Sequence, residues 1–253
     1  MIASLMMYRR PQLEDAHTVY WNLVRDNLRA VGMDSPAHLS QDADEFSVWN
    51  DSELVLSQTC GMPYRTWLHD KVELVGTPDF GVSGCPPGYY RSALVARADD
   101  PRANVGDYLD SVFAYNQTFS QSGYAAAYWH LEPWGFWFRN RLHARQHLES
   151  ARAVADGRAD IASLDAVSWR LISRYESFAN DVRVLEWTMP TPGLPLVTAR
   201  GNDADLVFTA VEKAILQLSD EIRALLGLKG IVRIPKESYL QVPNPPRTPA
   251  EPS

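Results

Sequence analysis

The segment Val112-Phe-Ala-Tyr-Asn-Gln-Thr-Phe-Ser-Gln-Ser-Gly-Tyr124 runs straight into Ala125-Ala-Ala-Tyr128, and it leaves few folds open. Val112, Phe113 and Tyr115 suit a pleated strand. Ser120, Gln121, Ser122 and Gly123 offer two hydroxyls, an amide and a glycine that turns without a Cβ clash. The alanines are strong helix formers. Strand, small-polar loop and helix start in this order place unpaired N–H groups and a partial positive charge where an oxyanion can rest. Ser120 or Ser122 serves equally well as an ordinary N-cap.

With 253 residues, one large or two modest domains are expected. A net charge of −7 argues against a nucleic-acid partner, because binding a phosphate backbone needs a basic face. No apolar run approaches the ~20 residues of a membrane span. The apolar start Met1-Ile-Ala-Ser-Leu-Met-Met-Tyr8 lacks a basic n-region and a cleavage site, and reads as a first strand. The expectation is a cytoplasmic chain, or an exported one whose leader has been removed. Cys60 and Cys85 are too few for a zinc site; a disulfide and two buried thiols both remain open. No metal or cofactor is expected.

Strands and helices alternate, the pattern of an α/β fold with largely parallel sheets. Pro11 suits the first turn of a helix that Gly32 ends. Glu53–Ser57, Lys71–Gly76, Tyr89–Arg97 and Ala159–Leu164 read as strands, the last followed by a helix from Asp165 towards Phe178. Asp203 caps a long amphipathic helix with Leu206, Val207, Val211, Ile215, Leu218, Ile222 and Leu226 on its apolar face. Two polar or proline-rich segments, Ala98–Arg102 and Met189–Pro195, are expected to carry the chain between lobes. The expected division is 1–97 with 191–242, then 98–190, with a disordered proline-rich tail over 243–253.

Further clusters suit the same anion chemistry. Ser57-Gln58-Thr59-Cys60-Gly61 repeats the polar-loop design after another strand, where open α/β sheets bind ligands. Tyr89 and Tyr90 start a strand and can place a phenol there, or supply one core ring and one surface ring. His147 opens a helix and can donate to an anion and carry charge near neutral pH. Asp165 suits a ligand that bears a proton, since a carboxylate accepts from P–OH; it also suits a helix cap. Trp134–Phe138 is strongly aromatic and reads as core packing, with a pocket for an organic substituent as the alternative. The sequence shows no nucleophile with an adjacent base, which favours binding over catalysis.

Over roughly residues 3–242 the chain resembles the phosphate/phosphite/phosphonate substrate-binding proteins of ABC importers. The matching stretches are Met7-Tyr8 with the helix through Trp21, Leu56-Ser-Gln-Thr-Cys-Gly61, Val75-Gly-Thr-Pro78, Gly84-Cys85 and Tyr90-Arg-Ser92. Others are Asn116 with Ser120-Gln-Ser-Gly123, His147 with Ser150, Val154–Asp160 with Asp165, and Thr191-Pro-Gly-Leu-Pro195. The resemblance implies a two-lobed periplasmic-binding-protein type II fold, with each lobe a mixed sheet flanked by helices and a ligand cleft between lobes. It implies that Ser120, Gln121, Ser122, Gly123, His147 and Asp165 hold a phosphorus oxyanion, with lobe-one contacts from Tyr8, Gln58, Thr59 and Tyr90. It also implies an ABC permease as partner, a periplasmic location and no catalysis. A cytoplasmic enzyme or ligand sensor on the same fold is the alternative. Where the family has Gly-Ser before its histidine, this chain has Arg145-Gln146.

Overall fold

The computed structural model describes residues 1–246. The chain divides into two compact units, Met1–Tyr89 with Pro192–Val242, and Tyr90–Thr191 joined by the described residues 243–246.

The first unit is built on a five-stranded sheet in the order β1-β2-β11-β3-β12. Its strands are β1 (Ile2–Ser4), β2 (Leu54–Gln58), β3 (Val72–Asp79), β11 (Leu196–Ala199) and β12 (Gly230–Val232). β1 runs parallel to β2, while β11 runs antiparallel to both β2 and β3. β2 and β3 are therefore parallel, and the sheet is mixed where the sequence suggested largely parallel pairing. Pro11–Leu13 makes one tight 3-10 turn before α1 (Glu14–Ala30), and Gly32 ends the run at φ +85°. The apolar stripe Ala16, Tyr20, Trp21, Val24 and Leu28 of α1 packs with Val207, Val211 and Ile215 of α7 (Ala204–Gln217) in the main core of this unit.

The long helix expected after Asp203 is two helices. α7 stops at Gln217, and Ser219 caps a new one, α8 (Asp220–Leu226), by accepting from the Ile222 N–H. The apolar spacing runs through the break because both helices turn the same stripe toward one core.

The second unit has a five-stranded sheet in the order β7-β6-β8-β5-β9. Its strands are β5 (Ser92–Arg97), β6 (Val112–Tyr115), β7 (Asn140–His143), β8 (Ile161–Asp165) and β9 (Val182–Trp187). β6 is parallel to β7 and β8, and β5 is antiparallel to β8 and β9. Helices α5 (His147–Ala155) and α6 (Ala166–Tyr175) contribute Ala151, Ala153, Val154 and Ile172 to the core on one face. On the other face α4 (Ala126–Leu131) contributes Ala127 and Leu131 to a core with Phe113 and Phe138. Phe136 and Trp137 pack on that cluster, which gives the aromatic run its structural role, while Trp134 is exposed.

The first crossing between units falls before β5, earlier than the Ala98 segment. β5 pairs residue by residue with β8 from Ser92↔Asp165 to Ala96↔Ile161, and five of its six residues are buried. Its place is the middle of the second sheet, so it cannot close the first. The second crossing lies within Met189–Pro195. At the crossings, Tyr89–Tyr90 and Thr191–Pro192 form a two-stranded ribbon. Of the expected tail, 247–253 lies outside the described residues; Pro243 accepts a bond from the Trp129 indole N–H at 3.0 Å.

Candidate functional site

In the second unit β6, β7 and β8 run parallel and end at Tyr115, His143 and Asp165, while antiparallel β5 starts at Ser92 opposite Asp165. One sheet edge therefore collects the loop 116–123, the turn 144–147, Asp165 and the segment 90–92. Ligands of open α/β sheets bind at such strand ends.

The loop after β6 opens a wide helical turn, Gln121–Ala125, closed by the Ala125 N–H bonding the Ser120 carbonyl at 3.0 Å. Such i→i+5 turns recur at functional sites. Ser120 caps the turn: its Oγ accepts from the Gly123 N–H at 3.0 Å. The N-cap role is thus real for Ser120, and it occupies the Gly123 N–H expected to face an anion. Gly123 is needed for another reason. A Cβ there would lie 1.9 Å from Asn116 Oδ1 and 3.1 Å from His147 Cε1, so no larger residue fits without moving the loop. Ser120, Gln121 and Ser122 are buried.

Ser122 Oγ lies 3.0 Å from His147 Nε2, and the Ser122 carbonyl accepts from Ser163 Oγ at 2.6 Å. His147 is the first residue of α5, preceded by Gln146, which makes no side-chain cap. Burial pushes its imidazole down to about 4, against a weaker opposing pull from the Ser163 backbone. At neutral pH the unliganded ring is therefore held uncharged. A hydroxyl beside a base is a pairing the sequence did not reveal, because Ser122 and His147 are distant along the chain. An imidazole held near 4 is a weak base at neutral pH.

Asp165 is buried and ends β8; its Oδ1 accepts from the N–H groups of Val167 at 2.7 Å and Ser168 at 2.9 Å, capping α6. Tyr90 is buried at the start of this unit. Arg145 is exposed and sits at φ +69°, the one non-glycine residue with positive φ among the described residues.

The other expected residues belong to the first unit. Tyr8 is buried edge-on against Phe80, with ring centroids 5.0 Å apart. Gln58 ends β2; its side chain donates to the Leu194 carbonyl at 3.2 Å, and its own carbonyl accepts from the Trp49 indole at 3.3 Å. Thr59 donates through its N–H to the Pro195 carbonyl at 3.0 Å and through Oγ1 to the Cys60 carbonyl at 3.4 Å. Ser57, one residue earlier, is buried and its hydroxyl has no partner among the described residues.

Among the described residues no group of His, Cys, Asp and Glu could hold a metal ion, and no helix is long and apolar enough to cross a membrane.

The architecture is that of periplasmic binding proteins. PA3383 of Pseudomonas aeruginosa, described as a binding protein component of an ABC phosphonate transporter, superposes with a TM-score of 0.71 at 16% identity, covering 94% of this chain and 82% of that one. PhnD1 of Prochlorococcus marinus, solved with methylphosphonate, gives 0.69 at 13% identity, covering 94% of each chain. XAC2383 of Xanthomonas citri, solved with ATP, gives 0.67 at 17% identity over 96% and 94%. At these identities the likeness speaks for the fold. No curated protein matches the chain. Residues 62–239 match the family described as ABC transporter, phosphonate, periplasmic substrate-binding protein, and the chain belongs to that family.

Proposed function

We propose that the chain captures a phosphorus oxyanion (a phosphonate, phosphate or phosphite) in the periplasm and delivers it to an ABC permease. The observation that carries this reading is the buried Ser120–Gly123 turn with Ser122 bonded to His147 at the C-terminal edge of a parallel strand set. A hydroxyl, first-turn N–H groups and a helix N-terminus are all donors, and the bond from Ser122 to a neutral imidazole is easily exchanged for a bond to an anion. An anion near His147 favours the imidazolium, so binding takes up a proton. Tyr90 and Asp165 are proposed to serve the same ligand, with the Asp165 carboxylate selecting P–OH. Tyr8, Gln58 and Thr59 are proposed to serve it from the first unit, Gln58 and Thr59 by fixing the end of β2. The chain is proposed to bind and release its ligand without chemistry.

Calorimetry against methylphosphonate, phosphate, phosphite and sulfate tests the reading. Micromolar binding of a phosphorus ligand, near 8 kcal/mol, with proton uptake and at least tenfold preference over sulfate is the expected result. Binding of none of the four would overturn it. Association with a purified permease–ATPase pair tests the partner.

A further inference from the structure

The structure carries a second cluster of cations beside the anion loop that the family reading does not use. Edge strand β7 and its flanks read Arg139-Asn-Arg141-Leu-His143-Ala-Arg145, with a basic residue at every second position. No acidic residue occurs from Pro133 to Leu148, in a chain whose net charge is −7. Strand geometry puts Arg141 and His143 on one face. They pair across from Phe113 and Tyr115, and that face carries the Gln121–Ala125 turn and α4. The contacts agree: Arg141 Nη1 donates to the Tyr124 hydroxyl at 2.8 Å, His143 Nε2 lies 3.2 Å from Gln117 Oε1, and the His143 ring stacks on Tyr115 at 5.2 Å. All three partners lie within 115–124, the segment that contains Ser120, Ser122 and Gly123. Arg145 stands two residues before His147 and exposes its guanidinium.

These arginines differ from the chain's ion-paired ones. Arg9, Arg25, Arg97, Arg102, Arg152, Arg158 and Arg233 all pair with carboxylates. Arg139, Arg141 and Arg145 have no carboxylate partner among the described residues. A guanidinium presents a planar fork suited to carboxylate or phosphoryl oxygens. Charge along an edge strand also discourages strand pairing with other molecules. That role needs no contact between the side chains and the anion loop, yet Arg141 and His143 both touch its segment.

Resting on the proposed loop site, we infer that Arg141, His143 and Arg145 form a second anion subsite, so that the ligand is a phosphonate or phosphate ester bearing a second negative group. Carboxylate and phosphoryl share the required chemistry, and two probes separate them. In calorimetry at low salt, phosphonoacetate or methylenediphosphonate is expected to bind at least about tenfold tighter than methylphosphonate, and 2-aminoethylphosphonate, with its cation, more weakly than either. The tighter of the two dianionic probes identifies the second group. Raising the salt shrinks the gain, because these cations are exposed. In the double variant Arg141→Gln, Arg145→Gly the affinity ratio of dianionic probe to methylphosphonate is expected to fall to within about threefold; a thermal melt verifies its fold. Equal wild-type affinities, or a ratio that survives the double variant, would overturn the inference while leaving the loop site standing. If the wild type binds none of the phosphonates, the loop reading fails and the subsite with it.

Discussion

In the first unit, buried β2 ends at Gln58, and Thr59-Cys60-Gly61 leads into the wide turn Tyr64–Leu68, where the His69 N–H bonds the Tyr64 carbonyl. In the second, β6 ends at Tyr115, and Ser120 caps the same kind of turn at Gln121–Ala125. The two stretches share a design, but their side chains have different partners. Gln58 and Thr59 bond to main-chain carbonyls, so substituting them changes the shape of the loop. Ser122 bonds to another side chain, His147, whose bond can be exchanged without moving the backbone. On the proposed reading, the first loop is a support and the second is the one that meets the ligand.

The contrast breaks first at Gly123. Gly123→Ala drives a methyl into Asn116 Oδ1; the expected outcome is complete loss of anion binding in calorimetry and a destabilisation of about 1–3 kcal/mol in a denaturant melt. Ser122→Ala comes next. It should lower phosphonate affinity by about 1.5–3 kcal/mol, roughly ten- to hundredfold, at nearly unchanged stability. Gln58→Ala, its counterpart in the first unit, should instead lower stability by about 1–3 kcal/mol, because the Leu194 carbonyl loses its buried donor. If Gln58→Ala removed binding without a shift in the melt, the contrast between the units would collapse.

Each unit also holds a half-buried histidine whose pKa is depressed, chiefly by desolvation: His17 in the first, with Arg9 adding to the effect, and His147 in the second. The unfolded chain takes up these protons near 6.5. Folded His147 resists to about 4, so the folded state binds fewer protons between these values. Stability therefore falls as the pH drops from about 6.5, and the His147 loss is complete below about 4. For His147 the expected size is about 1–3 kcal/mol; for His17 only the same sign of slope is expected. Urea melts at pH 7.0, 5.5 and 4.5 on His17→Gln and His147→Gln would assign the slope unit by unit. The smallest effect is expected at Arg145→Gly, which relieves the left-handed backbone and should raise stability by about 1 kcal/mol.

The proposed anion loop was legible in the sequence because its signals are local: a β-rich run, small polar residues, one glycine and a block of alanines. His147 at a helix start and Asp165 at a strand end were legible for the same reason. What they touch was not. Nothing local places Ser122 against His147, hands the Gly123 N–H to Ser120, or sinks the imidazole until it loses its charge. Strand β7 was missed because Asn140-Arg-Leu-His143 is a mostly exposed edge without a β-branched residue. The break at Ser219 was missed because apolar periodicity reports which face is buried and passes over a cap that restarts the helix in register.

The ribbon formed by Tyr89–Tyr90 and Thr191–Pro192 puts the entry to the second unit beside its exit, with the Gly193 N–H bonded to the Gly88 carbonyl at 2.8 Å. The stretch from Tyr90 to Thr191 is therefore an inserted module: one uninterrupted run of chain with its own five-stranded sheet and its two termini adjacent. Such a module can be excised and produced as a separate polypeptide, or circularly permuted within the whole. The anion loop, His147 and the basic strand would travel together, bringing the proposed ligand chemistry within reach of solution spectroscopy on a fragment less than half the size of the parent chain.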